Sequence, residues 1–174
     1  MLLNYSKIIG LPVADLQNEN NIGSIKEILF NSECAVVGFM LKSAFLSLSD
    51  DRKIIPSDIV VSLSEDGLTI RKGEDIAEMS EMVRLKGIIS HRLFGVNQKV
   101  VTTGGEQVGT VYDYLIESVT LTIVKFYVRH LWQEKIIPVS QIVGFETNKI
   151  IIKDNHNLVG ATDPAPESAS SLIE

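Results

Sequence analysis

The feature that most constrains the fold of this chain is an internal repeat. The phrase KIIP stands at Lys53–Pro56 and again at Lys135–Pro138, 82 positions later. Ahead of it, IGSIKEILF from Ile22 matches VGTVYDYLI from Val108 at its apolar, glycine, hydroxyl and acidic positions, here 86 positions apart. The same elements recur in the same order, and the difference in length falls between them. An internal duplication explains this order better than chance, so the sequence predicts two copies of one structural unit.

Each copy has the pattern of an all-β unit. Val, Ile, Thr and aromatic residues fill short runs, and polar or glycine-containing turns separate those runs. The strands expected in the first copy lie near Leu11–Asp15, Ile22–Phe30, Ala35–Lys42, Arg52–Ile55, Ile59–Leu63 and Leu68–Lys72. Those expected in the second copy lie near Lys99–Thr102, Gln107–Ile116, Leu121–Arg129, Lys135–Pro138, Ile142–Glu146 and Lys149–Lys153. Strands of this number and length favour a closed or nearly closed small barrel, which leaves no exposed sheet edge.

Glycines mark the predicted turns and bends. Asp66–Gly67 and Gly104–Gly105 are turn signals, because glycine adopts positive φ at little cost. Gly23 and Gly109 lie inside strand patterns, where a glycine usually marks a bulge or a sharp bend. Bends at equivalent positions are what two small barrels of the same design need.

A helix is expected between the two copies. Ile76, Met79 and Val83 follow the i, i+3, i+7 spacing of one helical face. Acidic residues precede this stripe and basic residues follow it, which suits the dipole of a short helix. We therefore predict a linker helix that packs its apolar side against one or both barrels.

The predicted division of the chain follows from these elements. It is a first barrel over 1–73, a helical linker over 74–86, a second barrel over 87–154 and a flexible acidic tail over 155–174. The tail is rich in Pro, Ser and Ala and lacks periodicity. The predicted fold class is mainly β, with two small barrels in tandem.

Charge and composition narrow the classes of function. Residues 83–153 carry nine Lys and Arg against five acids, whereas the whole chain has a net charge of −6. A mildly basic half without dense interleaved aromatics is weak support for nucleic-acid binding.

No apolar stretch approaches the roughly 20 residues of a spanning helix, and no signal peptide is recognised. The single cysteine, Cys34, fits a reducing compartment and a buried position.

The ordered motif resembles a known family. The opening strand with Gly10, Pro12 and Val13, the Gly23 strand with its acid, and the Ile55–Pro56 step together resemble the PRC-barrel domain. That domain forms the cytoplasmic barrel of the photosynthetic reaction centre H subunit and the C-terminal barrel of the ribosome-maturation factor RimM. The resemblance covers residues 7–72 and again 93–154. It implies docking and assembly modules without catalytic machinery.

The search for reactive groups gives no catalytic or metal constellation. His91, His130 and His156 are far apart in sequence, so no metal site is expected. Glu27 and Asp113 each follow a strand glycine by four residues, and their recurrence favours a structural carboxylate that accepts backbone N–H bonds or pairs with a base at a strand corner. We therefore expect neither an enzyme nor a bound cofactor.

Large apolar residues in the loop before each KIIP are the candidate binding residues. They are Phe45, Leu46 and Leu48 in the first copy and Leu131 and Trp132 in the second. They either cap the open end of each barrel or form an exposed patch that binds a protein partner, or a second copy of the chain.

The expected function is that of a non-enzymatic protein-binding or assembly module in the cytoplasm of a bacterium or archaeon. Two alternatives stay open. One is an RNA- or ribosome-associated role, based on the basic second half and the RimM resemblance. The other is a membrane-peripheral role near an electron-transfer complex, based on the H subunit resemblance alone.

Overall fold

Two β-sheets form the described part of the chain. The computed structural model describes residues 1–43, 53–78 and 95–154. In chain order the early elements are β1 Leu2–Asn4, α1 Tyr5–Ile8, β2 Pro12–Asp15, β3 Asn20–Phe30, β4 Val36–Ser43, β5 Lys53–Pro56, β6 Val60–Leu63, β7 Leu68–Ile70 and β8 Ala77–Glu78. The later strands are β9 Lys99–Thr102, β10 Gln107–Glu117, β11 Thr122–His130, β12 Gln133–Pro138, β13 Ile142–Glu146 and β14 Lys149–Ile152. All twelve strands expected from the sequence are present.

The two sheets share one topology, which agrees with the predicted duplication. The first has the order β6-β7-β2-β3-β4-β5-β8 and the second the order β13-β14-β9-β10-β11-β12, with β1 added to β10. In each copy the first strand pairs in parallel with the last, Val13 opposite Leu68 and Val100 opposite Ile150. The remaining pairs within each copy are antiparallel. A mainly β fold of two sheets is confirmed, and closure of each sheet into a barrel stays a prediction.

The repeated KIIP phrase is a strand near one end of its sheet, and a proline ends that strand. Both β5 and β12 end at their proline, and a 3₁₀ helix follows directly, Ser57–Ile59 in one copy and Val139–Gln141 in the other. Proline has no N–H to give to a sheet, so it fits at the end of a strand near a sheet edge. The isoleucines before each proline pair with β4 or β11, and Ile54, Ile55 and Ile137 among them are buried.

Two strand glycines allow the close approach that bends each sheet. Gly23 has φ 149° and Gly109 has φ 154°, and both lie next to shifts in strand register. A Cβ atom would stand 2.4 Å from the Lys42 carbonyl oxygen at Gly23, and 2.7 Å from that of Arg129 at Gly109. No side chain fits at these distances, so the predicted bulges are confirmed.

The two copies share one hydrophobic core. The Phe30 ring of the first copy lies 5.9 Å from Tyr114, 6.1 Å from Phe126 and 5.9 Å from Phe145, all in the second copy. Phe30, Tyr114 and Phe126 are almost completely buried. Aromatic rings at such separations attract each other beyond simple area burial. The copies are therefore packed together through side chains as well as connected by the chain.

Backbone hydrogen bonds also join the copies. The β1 strand, at the start of the chain, pairs with the end of β10, Leu3 opposite Ile116. Val36 donates its N–H to the Leu121 carbonyl at 2.8 Å, and Ala35 and Thr122 form an isolated bridge. The N-terminal residues thus belong to the sheet of the second copy.

The described part of the expected linker helix is not α-helical. Gly73–Asp75 forms a 3₁₀ helix, and β8 pairs antiparallel with β5. The apolar Ile76 packs against the core from this strand-like path. Ile76, Met79 and Val83 have the spacing of a helical face, but the predicted helix is not present at residues 76–78. Residues 79–86 and the tail, 155–174, lie outside the described residues.

Candidate docking surface

A two-residue turn of the second copy carries two large apolar side chains that are exposed. His130 pairs with Gln133, so only Leu131 and Trp132 connect β11 to β12. The Leu131 side chain is 79% exposed and that of Trp132 is 97% exposed. We call these two residues the hairpin tip. Two large apolar side chains that are exposed side by side make the hairpin tip a candidate contact surface.

The backbone at the hairpin tip is strained. Leu131 has φ 53°, in the left-handed region that glycine and asparagine favour. A leucine there costs stability and, at 79% exposure, gives little burial in return.

A polar cluster fixes the hairpin just behind the tip. Arg129 donates from its guanidinium to Glu134 at 2.6 Å and lies over the Tyr112 ring, 4.5 Å from its centre. Tyr112 also donates its hydroxyl to Glu134 at 3.3 Å. The hydrogen bond from Arg129 lowers the pKa of Glu134 and keeps it ionised. These cross-strand contacts hold the two strands in register and so hold the tip in one orientation.

The outer face of the same hairpin continues as a band of aromatic and basic side chains. The rings of Tyr112 and Tyr127 are 6.1 Å apart, and the Lys125 ammonium lies 5.2 Å from the Tyr127 ring centre. Tyr112 and Tyr127 keep part of their surface exposed. These side chains therefore extend the hairpin tip into a partly apolar surface that also carries the positive charges of Lys125 and Arg129.

The predicted binding residues fall into two groups. Leu131 and Trp132 are brought together at the hairpin tip, and their exposure argues against the alternative that they cap a barrel end. Phe45, Leu46 and Leu48 lie outside the described residues. The polar cluster behind the tip was not predicted. Its signal in the sequence is the spacing of Arg129 and Glu134 on either side of a two-residue turn.

The two recurring acids lie at the joint between the copies. Asp113 accepts the Tyr114 N–H at 2.8 Å and the Ser6 N–H at 3.1 Å, and its second oxygen accepts bonds from Ser6 Oγ and Asn4 Nδ2. Glu27 accepts the N–H of the residue that follows it in the same way, at 3.0 Å. Both acids sit at register shifts in their strands. The predicted role of a carboxylate that accepts backbone N–H bonds is confirmed.

Two tyrosine side chains, the half-buried Tyr5 and the buried Tyr114, lie near Glu27. Tyr5 donates its hydroxyl to the Glu27 carboxylate at 3.2 Å, and its ring lies 4.8 Å from that of Tyr114. Burial raises the pKa of Glu27, and burial together with the nearby Glu27 carboxylate raises the pKa of Tyr114. Both tyrosines therefore stay protonated at neutral pH. Their contacts join α1 to both sheets.

One groove lies beside α1. Its volume is about 490 Å³, and it is lined by Leu2, Ile8, Leu11, Lys7, Glu65 and neighbouring residues of β1. Its walls combine leucine and isoleucine side chains with polar groups, among them the charged Lys7 and Glu65. This mixed lining places no nucleophile beside a base.

The part of the chain described above contains neither a metal-binding cluster nor a helix that could span a membrane. There, no group of three or more His, Cys, Asp and Glu side chains is arranged to hold a metal ion. Among the same residues no helix has both the length and the apolar character to cross a membrane. His130 is exposed at the end of β11, and His91 and His156 lie outside the described ranges.

Comparison with known proteins leaves the family open. No family model matches the chain, and no curated protein shows significant sequence similarity to it. The resemblance to the PRC-barrel domain therefore rests on the order of the sequence motifs alone.

Proposed function

We propose that this protein is a non-enzymatic docking module, built from two PRC-like barrel units, which binds a protein partner through the hairpin tip. The observation that carries the proposal is the exposure of Trp132, the only tryptophan, on a strained two-residue turn. Tryptophan is among the residues most enriched at the energetic centres of interfaces. Burying one side chain of its size removes about 150–250 Å² from water, worth about 4–6 kcal/mol before the costs of association.

The surroundings of the tip favour a protein partner over RNA. The nearby cations are already engaged, Arg129 by Glu134 and Lys125 by the Tyr127 ring. Phosphate binding needs cations that are free to replace counterions. An apolar pocket on a protein complements the Leu131 and Trp132 side chains in shape and polarity.

The experiment compares capture of partners by the wild type and by tip variants. The immobilised full chain, the Leu131→Ser/Trp132→Ser variant and a Val119→Ser control are each incubated with lysate of the native cell, and bound proteins are identified by mass spectrometry. Val119 is 82% exposed in the turn at the opposite end of β11, so it controls for loss of any exposed apolar side chain. We expect a specific protein that the wild type and the control retain and the tip variant loses. Equal retention by all three would overturn the assignment of the tip.

Tryptophan fluorescence then distinguishes the kinds of partner. Because Trp132 is the only tryptophan, its emission reports directly on the tip. Addition of the purified partner is expected to shift the emission to shorter wavelength as the ring leaves water. If the purified partner causes no shift, three other probes are tested. A shift that disappears on dilution would assign the tip to self-assembly. A shift with anionic vesicles would assign it to a membrane surface, and a shift with total RNA at low salt would assign it to RNA.

A further inference from the structure

The N-terminal segment, which comprises β1, α1 and the residues up to β2, contacts an equivalent carboxylate in each copy, but the two contacts differ. Asp113 of the second copy accepts three hydrogen bonds from the segment, at 3.1 Å from the Ser6 N–H, 2.7 Å from Ser6 Oγ and 3.2 Å from Asn4 Nδ2. Glu27 of the first copy accepts one, from the Tyr5 hydroxyl at 3.2 Å. At these two carboxylates, the first copy therefore has the weaker contact with the segment.

The Glu27 carboxylate is poorly compensated where the segment covers it. Glu27 is half-buried at a register shift of β3, and the Tyr5 ring that contacts it packs 4.8 Å from the fully buried ring of Tyr114. The charged or titratable groups around this contact are Tyr5 of α1, Tyr114 and Asp113 of β10, and Lys26 of its own strand. Lys26 is exposed, so its charge offsets little of the cost of removing a carboxylate from water.

This setting favours the protonated form of Glu27 while the segment is in place. Burial raises the pKa of Glu27, and the hydrogen bonds from the Ile28 N–H and the Tyr5 hydroxyl lower that pKa without cancelling the effect. Tyr5 contacts the carboxylate from α1, so detachment of the segment exposes the carboxylate to water, where its ordinary pKa is 4.5. Proton binding by Glu27 and attachment of the segment therefore favour each other.

We propose that the contact between Tyr5 and Glu27 is a pH-sensitive switch that sets how firmly the N-terminal segment is held against the first copy. Uptake of a proton by Glu27 strengthens the attachment, and loss of the proton weakens it. Because the pKa of Glu27 in the folded protein lies above 4.5, the added stability is complete below 4.5 and is lost as the pH rises through the folded pKa. The pairing of β1 with β10 does not involve Glu27, so the weakened contact is the one with the first copy. This inference does not depend on the proposed docking function.

Carbon-13 NMR of the side-chain carboxyl groups in the full chain measures the titration directly. We expect Glu27 to titrate with a pKa above 4.5. Tyr5→Phe removes a hydroxyl that stabilises the ionised form, so it should raise the pKa of Glu27 further. The matched control is Tyr114→Phe, which removes a buried hydroxyl without a hydrogen-bond partner among the described residues and should change this pKa less. A wild-type pKa at or below 4.5, or equal changes in the two variants, would overturn the proposal.

Hydrogen exchange measures the attachment itself. Gly10 donates its N–H to the Ile25 carbonyl of β3 at 2.8 Å, so exchange of the Gly10 amide reports detachment of the segment. After correction for the intrinsic effect of pH, its protection in the wild type should rise as the pH falls from 8 to 5. The rise is up to about tenfold for each unit by which the pKa of Glu27 is raised.

Glu27→Gln is the second variant, because glutamine stays neutral at every pH and keeps a similar size. Protection of Gly10 in this variant should not change over the same range. Constant protection in the wild type, or the same rise in the glutamine variant, would overturn the switch. The carboxyl titration uses the wild type, so the proposal stays falsifiable even where a variant fails to fold.

Discussion

Replacing Leu131 by glycine should make the protein more stable while it weakens partner binding. Leu131 has φ 53°, where a residue with a Cβ atom pays about 1–2 kcal/mol that glycine does not. Glycine loses about 0.5–1 kcal/mol to its freer unfolded state. Only about a fifth of the leucine side chain is covered, so its removal costs about 0.3–0.6 kcal/mol of burial. The net expectation for Leu131→Gly is a gain of about 0.5 kcal/mol over the wild type.

Leu131→Ala is the matched control, because alanine loses the same burial and keeps the Cβ atom. The glycine variant should exceed the alanine variant by about 1 kcal/mol in the free energy of unfolding, or about 2–4 °C in Tm for a chain of this length. Urea titration followed by far-ultraviolet circular dichroism measures the difference, since the exposed Trp132 reports poorly on unfolding. A glycine variant no more stable than the alanine variant would show that the turn is not strained. Both variants should lose affinity for the partner if Leu131 contributes to the contact.

Three further predictions follow from buried or crowded groups. Gly109→Ala should lower the free energy of unfolding in urea by about 3 kcal/mol, because the new Cβ would lie 2.7 Å from the Arg129 carbonyl oxygen. The control is Gly144→Ala, which has open space around it and should lower the free energy of unfolding by less than about 1 kcal/mol. Hydrogen bonds from the Asn18 side chain, and also from the Gly73 N–H, lower the pKa of Asp15 in the folded protein. The ionised carboxylate therefore stabilises the fold above the unfolded pKa near 3.8, and this stabilisation is lost as the pH falls through the lower folded pKa. Asp15→Asn should therefore be less stable at pH 7 and show a smaller loss of stability between pH 5 and pH 2, and an unchanged acid limb in thermal melts would refute this role. Burial raises the pKa of Cys34 to about 12, so a thiol reagent such as DTNB should label it at the rate of unfolding, and fast labelling of the folded protein would show the site to be open.

The sequence was sufficient to predict the strands because their signals are local and occur twice. Alternating β-branched residues set each run, and Gly67, Gly105 and the two KIIP prolines mark where runs stop. The duplication adds a check that a single copy lacks, since each strand predicted in one half has a counterpart in the other. This is why β9 and β13 were placed with the residue limits that the structure shows.

Elements without a repeat counterpart were not predicted. The β1 strand has only three residues, and its pairing partner lies more than a hundred positions away on β10. The short β8 strand was not predicted, because the apolar residues around it have the spacing of a helical face. In the structure Ile76 packs against the core from an extended backbone. Long-range pairing of this kind depends on which surfaces meet in three dimensions, and a local pattern does not encode that information.

The candidate site was predicted in part for a similar reason. Trp132 and Leu131 stand out in sequence as large apolar residues in a loop, but composition does not tell a capping residue from an exposed one. The distinction comes from the length of the turn. Since His130 pairs with Gln133, a two-residue connection projects both side chains beyond the sheet, where nothing in the described chain covers them.

The joint between the copies explains why two units of the same topology present different surfaces. Glu27 and Asp113 hold equivalent positions, and each accepts the N–H of the residue that follows it. Asp113 also accepts hydrogen bonds from Ser6 and Asn4, because the N-terminal segment pairs with the second copy, whereas Glu27 accepts the Tyr5 hydroxyl from that segment. The N-terminal segment therefore adds a strand to the second sheet, so a symmetric repeat becomes an asymmetric pair. Side chains at this joint hold the copies together, whereas the hairpin tip of the second copy takes no part in it and stays exposed.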